Sequence, residues 1–320
     1  MTIRAVVKSK NKLSEGIFSF GLEPVEGEAF PAFTAGAHID VHVGDDLIRQ
    51  YSLYNYYAPN GQYQIGVQRE AEGRGGSIAI CDNIQVDDEV MISEPRNHFE
   101  LEEGYGHYIL MGGGIGITPV LAMAEELHAK GKSFELHYCA RDAERAAFQE
   151  IILEKPFADK VSIHLDTGPK EQLMDFGAAF KDVPADAQLY MCGPGGFMDA
   201  IEKATEHWPS KLVRKEYFSA SGVHHPEEAT GGEFTVTMAK SGKTFSVGPD
   251  EKLSDALREN GYKVALSCAE GFCGSCLLNV ISGEIQHNDL CLSDGEKKEG
   301  KIIAPCVSRG APGTELVLDI

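Results

Sequence analysis

The order of apolar and polar positions divides the chain into three stretches. From residue 1 to 104 the dominant period is two. His38-Ile-Asp-Val-His-Val43 alternates apolar and polar, and so does Gln62-Tyr-Gln-Ile-Gly-Val-Gln68 after an Asn60-Gly61 turn. Both patterns predict half-buried strands. Met1 to Lys12 is polar and strand-like, and Pro and Gly punctuate the intervals. A small antiparallel barrel is the simplest architecture for such a run.

From residue 105 to 222 strands alternate with helical stretches. His107 to Met111 is a short apolar run ending in glycines, followed by a predicted helix from Pro119 to about Lys130. A strand is expected at Phe134–Cys139, a helix at Asp142–Leu153, and strands at Val161–Leu165 and Gln188–Cys192. A helix at Pro194–His207 and a strand at Leu212–Tyr217 complete the series. Alternation of this kind predicts a parallel sheet with helices on both faces, a Rossmann-like domain. Residues 221–232, SGVHHPEEATGG, lack apolar periodicity, so a linker is placed at 223–232. Residues 233–320 resume with strands at Glu233–Ala239 and around Phe245, a helix at Leu253–Asn260 capped by Gly261, and a last strand at Thr314–Ile320.

The third stretch carries the most specific chemistry. Cys268, Cys273 and Cys276 follow the spacing C-x4-C-x2-C, with Cys306 distant. That is the plant-type ferredoxin arrangement for a [2Fe–2S] cluster. A tight loop supplies three thiolates, Gly271 and Gly274 let its backbone bend, and the fourth thiolate comes from elsewhere in the fold. A four-thiolate zinc site is the alternative, but such sites pair two short knuckles and Cys306 has no near partner. Cys81 and Cys291 lack partner spacing and read as ordinary thiols; Cys139 reads as core.

Two glycine turns suit a dinucleotide. Met111-Gly-Gly-Gly-Ile-Gly-Ile-Thr-Pro119 joins a predicted strand to a helix, where glycine admits a pyrophosphate and the helix N-terminus favours its charge. The match to G-x-G-x-x-G is not strict, and a simple tight turn fits equally. Cys192-Gly-Pro-Gly-Gly196 ends a later strand, the edge where ligands gather on parallel sheets. After the second strand come Arg141 and Asp142. An acid there binds a ribose 2′-OH and an arginine a 2′-phosphate; NADH is favoured over NADPH, while Asp142 also suits a cap. In the first stretch, Arg49-Gln-Tyr51-Ser52-Leu53 offers a phosphate fork, a stacking face and a hydrogen bond, and Gly73-Arg-Gly-Gly-Ser77 reads as a glycine turn opening a helix. A half-buried aromatic strand and a polar loop explain both patterns as well.

Charge narrows the partners. The 320 residues carry 49 acidic and 29 basic side chains, a net charge of −20. Nucleic acid and anionic membrane surfaces require basic patches and are disfavoured. No run of about 18 apolar residues predicts a membrane helix, and Met1–Lys12 lacks a signal-peptide core. A cytoplasmic location is expected.

In this order the motifs resemble the phthalate dioxygenase reductase family, the reductase components of Rieske-type oxygenases. The resemblance rests on RQYSL (49–53), GRGGS (73–77), EPRNHF (94–99), GGGIGITP (112–119), YCARD (138–142), CGP (192–194), EYF (216–218), the cysteine loop and CVSR (306–309). It implies a multidomain chain: an antiparallel β-barrel flavin domain (1–104), an α/β Rossmann-like nucleotide domain (105–222) and an α+β plant-type ferredoxin domain (233–320). It implies FMN rather than FAD, because the family's barrel lacks the adenosine-binding extension. Arg49 and Ser77 would lie near the FMN phosphate with Gly75 and Gly76 lining the turn, Tyr51 and Leu53 on the ring strand, and Ser52 near N5. Gly114, Thr118, Pro119, Cys192, Gly193 and Pro194 would border NADH, with Cys192 near the hydride-donating carbon. Ser52, Thr118 and Cys192 are thus the candidate catalytic residues. Glu216 and Phe218 resemble the segment that covers the flavin. Arg69 stands where relatives often carry a basic residue for the phosphate. Tyr54-Asn-Tyr-Tyr57 departs from the family pattern.

The implied chemistry is hydride transfer from NADH to FMN, then single electrons through [2Fe–2S] to a partner oxygenase: an aromatic dioxygenase, a vanillate-type demethylase or a carnitine-type monooxygenase. No acid–base triad is needed, and His107, His128, His137 and His164 read as surface or structural. A self-contained oxygenase is disfavoured, since no Rieske C-x-H pair is apparent. The alternative from another class is a non-catalytic zinc- or redox-binding protein that retains the fold.

Overall fold

A computed structural model describes residues 2–25, 29–43, 47–56, 61–71, 75–181, 186–218, 231–292 and 294–320. The chain divides into two compact units, Met1–Phe218 and Ser219–Ile320. Most of the expected linker, like Tyr57, Gly73 and Arg74, lies outside the described residues.

The first unit begins with six strands: β1 (Thr2–Ser14), β2 (Ile17–Pro24), β3 (His38–Val43), β4 (Leu47–Ser52), β5 (Tyr63–Gln68) and, after helix α1 (Gly76–Asn83), β6 (Glu89–Ser93). They form one antiparallel sheet in the order β4-β3-β6-β1-β2-β5. A bridge between Leu53 and Ile65 joins its two edges, so the sheet closes on itself around Val7, Phe20, Leu22, Ile39, Ile65 and Val67. Closure removes the exposed edges that an open sheet must otherwise protect. Strand β3 departs from the expected half-burial, since His38 to Val41 are all buried. The polar face is covered because Arg96 bridges His38 and pairs with Asp40 at 2.8 Å, while Ser93 Oγ accepts from Asp40 N–H.

The second half of this unit comprises β7 (His107–Gly113), α2 (Ile117–Ala129), β8 (Ser133–Ala140), α3 (Gln149–Leu153), β9 (Val161–Leu165), α4 (Phe176–Ala179), β10 (Ala187–Cys192), α5 (Gly195–Ala204) and β11 (Val213–Glu216). All five strands are parallel, in the order β11-β10-β7-β8-β9. Successive residues feed different cores. Tyr108 and Leu110 pack with α2 on one face, while Ile109 and Met111 pack with α5 on the other. Burial of both faces explains why these strands read as continuous apolar runs. The helix expected from Asp142 starts only at Gln149. Asp142 instead holds a turn, its carboxylate accepting from Arg145 N–H at 2.9 Å.

The second unit contains β12 (Phe234–Met238), β13 (Thr244–Val247), α6 (Leu253–Glu259), β14 (Leu278–Ser282), β15 (Ile285–Gln286), α7 (Asp294–Glu299), β16 (Ile302–Ile303), β17 (Arg309–Gly310) and β18 (Glu315–Leu318). Its main sheet runs β13-β12-β18-β14-β16, with β15 and β17 paired separately. Gly261 ends α6 at φ +90°, the left-handed conformation expected of its cap.

Candidate functional site

In the parallel sheet, strand order reverses between β7 and β10, the switch point where open α/β sheets bind ligands. Both glycine turns emerge there. Register sets Gly112 beside Cys192, and Cys192 beside Glu216 on β11. The turns touch through their backbones. A Cβ on Gly116 would stand 2.3 Å from the Cys192 carbonyl oxygen, and one on Gly193 would stand 3.0 Å from Gly113 Cα. These positions are glycine because the second turn fills the space a side chain would need. Gly114, at φ +54°, opens the 3₁₀ turn that leads into α2.

Cys192 is fully buried, and burial, aided by the Glu216 charge, pushes its thiol well above the ordinary range. It stands there as a neutral thiol, not a nucleophile. Burial likewise raises Glu216 to about 8, and its Oε2 is sealed from solvent without a hydrogen-bond partner. The residue as a whole is only part-buried, but the carboxyl tip is the enclosed end. Thr118 is buried; its hydroxyl donates to Ile115 O at 3.0 Å, and its methyl faces Gly66 of β5. Pro119 sits in the first turn of α2, where its missing N–H is harmless. Phe218 packs on the same core as α2. A cavity of about 660 Å³ opens beside the turns, lined by Gly113, Gly114, Pro194, Phe197, Arg141 and Arg145, among others.

On the barrel, Arg49 of β4 lies across the start of α1. A Cβ on Gly76 would meet its Nε at 2.4 Å and its Cγ at 2.6 Å. Gly75 precedes the helix at φ +78°. A guanidinium held over a helix N-terminus is a cradle suited to a phosphate. Ser77 Oγ accepts from Glu70 N–H at 3.0 Å, tying the loop to the helix. Tyr51 packs on the barrel core, with its phenol shifted upward by burial, and Ser52 is buried at the end of the strand. Arg69 is engaged elsewhere, forming a two-pronged pair with Asp82 at 2.9 and 3.0 Å. The aromatic run does structural work: Tyr54 meets Phe148 edge-on at 5.3 Å, and Tyr56 N–H donates to Glu125.

In the second unit the four thiols gather as two pairs. Cys268 N–H donates to Cys273 Sγ at 3.4 Å, and Cys276 Sγ lies 3.3 Å from Cys306 Sγ. The hydrogen bond within this pair lowers the Cys273 thiol and raises that of Cys268. Glu270 N–H points at Cys268 Sγ, 3.4 Å away. Two pairs fit a two-iron cluster, in which each iron takes two thiolates. Among the described residues no three potential ligands converge as a single ion would need.

Residues 236–309 match the family described as 2Fe-2S iron-sulfur cluster binding domain. Over 321 residues the chain is 41% identical to the vanillate O-demethylase oxidoreductase of Pseudomonas sp. (strain HR199 / DSM 7063), covering 99% of this chain and 100% of the relative. The solved structure of phthalate dioxygenase reductase, described as modular for electron transfer from pyridine nucleotides to [2Fe-2S], matches with TM-score 0.72 and 39% identity over 100% of this chain and 98% of that one. The chain belongs to the phthalate dioxygenase reductase family. An intact type IV self-sufficient cytochrome P450 monooxygenase also matches, with TM-score 0.89 and 33% identity over 100% of this chain, which spans 41% of that one.

Within that family frame, two residues escaped the sequence reading. Asp166, just beyond β9, lines the cavity with Arg141 and Arg145, its N–H donating to Ala140 O at 3.0 Å. Its only signal was its place at the C-terminal edge of a predicted parallel strand. Asp289 in the second unit is wholly buried, and nothing in its sequence neighbourhood marks a buried acid. Asp142 is committed to Arg145, through both its turn hydrogen bond and an ion pair. Among the described residues no helix is long and apolar enough to cross a membrane.

Proposed function

We propose that this chain is the NADH-dependent reductase component of a multicomponent Rieske-type oxygenase, working in the cytoplasm. FMN, when bound, accepts a hydride and gives up electrons one at a time, and the [2Fe–2S] centre carries them singly to the oxygenase. The observation that carries the reading is the pairing of Cys268 with Cys273 and of Cys276 with Cys306, in a chain that also holds two interlocked glycine turns at a sheet switch point. Eight free thiols suit a reducing compartment.

The residues divide the work. Arg49, Gly75, Gly76 and Ser77 hold the FMN phosphate; Tyr51, Ser52 and Leu53 present the barrel strand to the ring. Arg69 steadies α1 through its ion pair with Asp82. Gly114, Thr118, Pro119 and the Cys192-Gly193-Pro194 turn seat the nicotinamide end of NADH, and Arg141 with Asp166 frames the adenosine end. Cys192 and Glu216 contribute as buried neutral groups that exclude water beside the reacting rings. Phe218 covers the flavin. Cys268, Cys273, Cys276 and Cys306 are the cluster ligands, and the domains divide at 1–104, 105–222 and 233–320 around a linker at 223–232.

The test is direct. Purified protein should show flavin and iron–sulfur absorption, and should oxidise NADH with a Rieske oxygenase from a set added one at a time. A colourless, zinc-loaded protein, or NADH oxidation that no oxygenase accelerates, would refute the reading.

A further inference from the structure

A plant-type cluster site must bring its one remote ligand to the loop that holds the other three, and a buried carboxylate in this chain makes that junction. Asp289 has no exposed surface. Its Oδ1 accepts from Ser308 Oγ at 2.9 Å and faces His287 Nδ1 at 3.0 Å. Its Oδ2 accepts from Leu292 N–H at 3.2 Å, with Lys297 Nζ 3.8 Å away and Cys291 Sγ at 3.9 Å. Lys297 also donates to the Asp289 carbonyl at 2.6 Å. Ser308 stands two residues beyond the remote ligand Cys306 and accepts in turn from Asn288 N–H at 3.0 Å.

The same segment grips the loop from the other side. Leu290 and Cys291 N–H both donate to Gly271 O, at 2.8 and 3.2 Å. Gly271 lies between Cys268 and Cys273 at φ +83°, and a Cβ there would stand 3.3 Å from Asp289 Cα and 2.5 Å from a methyl of Val307, the neighbour of Cys306. An unpaired carboxylate would not be retained in such a place, since desolvating a charge is costly unless bonds replace water. Here the bonds run through Ser308 toward Cys306, and the Asp289–Cys291 segment binds Gly271 of the three-cysteine loop.

We propose that Asp289 is a positioning residue for the [2Fe–2S] cluster: it fixes Cys306 against the Cys268–Cys276 loop and places a buried negative charge beside the centre. The proposal deepens the cluster reading and rests on it. The experiment compares purified wild type with Asp289→Asn and Ser308→Ala, measuring iron released to a chelator over time and the cluster midpoint potential by spectroelectrochemical titration. Asp289→Asn keeps the shape but loses the charge and one acceptor oxygen, so iron should leave at least fivefold faster and the potential should move positive. Ser308→Ala removes one tie and no charge, so iron release should accelerate with the potential nearly unchanged. A residue serving only the fold would not separate the two readouts in this way. Wild-type release and potential in Asp289→Asn would overturn the proposal. Should that variant not fold, a wild-type release rate in Ser308→Ala would do the same. Wild-type protein lacking iron and sulfide is the distinct outcome that fails the cluster reading itself, and the proposal falls with it.

Discussion

Glu216 offers a sharp test of the nucleotide site, because its carboxyl is enclosed and burial alone raises it to about 8 from an ordinary 4.5. The sign follows from proton binding. Between those two values the unfolded chain has released the proton while the folded chain retains it, so stability is full below pH 4.5 and falls as pH rises toward 8. With about 1.4 kcal/mol per unit of difference, the fall from pH 6 to pH 8 is about 2 kcal/mol, allowing for partial ionisation near the upper value. Glu216→Gln keeps the shape and cannot ionise. The variant should therefore gain on the wild type by about 2 kcal/mol between pH 6 and pH 8, every other titration cancelling in the difference. The chain supplies its own probe: its one tryptophan, Trp208, lies in the first unit, edge-on to Phe180 at 5.7 Å. Urea unfolding followed by Trp208 fluorescence at the two pH values gives the number. A variant-minus-wild-type difference that stays constant or reverses with pH would refute the burial argument, because only a carboxyl held neutral by its surroundings produces that slope.

Three further outcomes are expected. Gly76→Ala forces Arg49 aside and should cost about 1–3 kcal/mol at the anion cradle, roughly 5- to 150-fold in FMN affinity by fluorescence titration. Asp142→Ala should lower stability by about 1 kcal/mol with little change in the NADH KM, since the side chain holds a turn; a large rise in KM would instead make it a ribose ligand. Cys306→Ser should abolish the iron–sulfur bands and electron delivery to the oxygenase while NADH still reduces the flavin, as seen with a dye acceptor.

Legibility in the sequence followed the locality of each constraint. Strands β3, β5 and β9 were read to within a residue because side-chain alternation or a compact apolar run announces them. The cysteine spacing announced a two-iron centre because three ligands share one short loop. What failed to show depends on contacts between distant segments. The turn at Asp142 displaced a predicted helix start because the carboxylate prefers the Arg145 N–H, a choice that helical periodicity does not record. The engagement of Arg69 with Asp82 could not be read from a basic residue thirteen positions away. Asp289 resembles any loop acid until folding surrounds it with Ser308, His287 and Lys297.

The interlocked glycines have a practical consequence for changing coenzyme preference. Gly112, Gly113, Gly116 and Gly193 leave no volume for even a methyl group, so these two turns tolerate no redesign. Arg141 and Asp166, just beyond β8 and β9, and Arg145 line the cavity beside these turns. On the proposed reading, retargeting toward a phosphorylated ribose is therefore a matter of charge at these residues: exchanging Asp166 for a neutral or basic side chain should shift coenzyme preference while leaving the crowded glycine turns untouched.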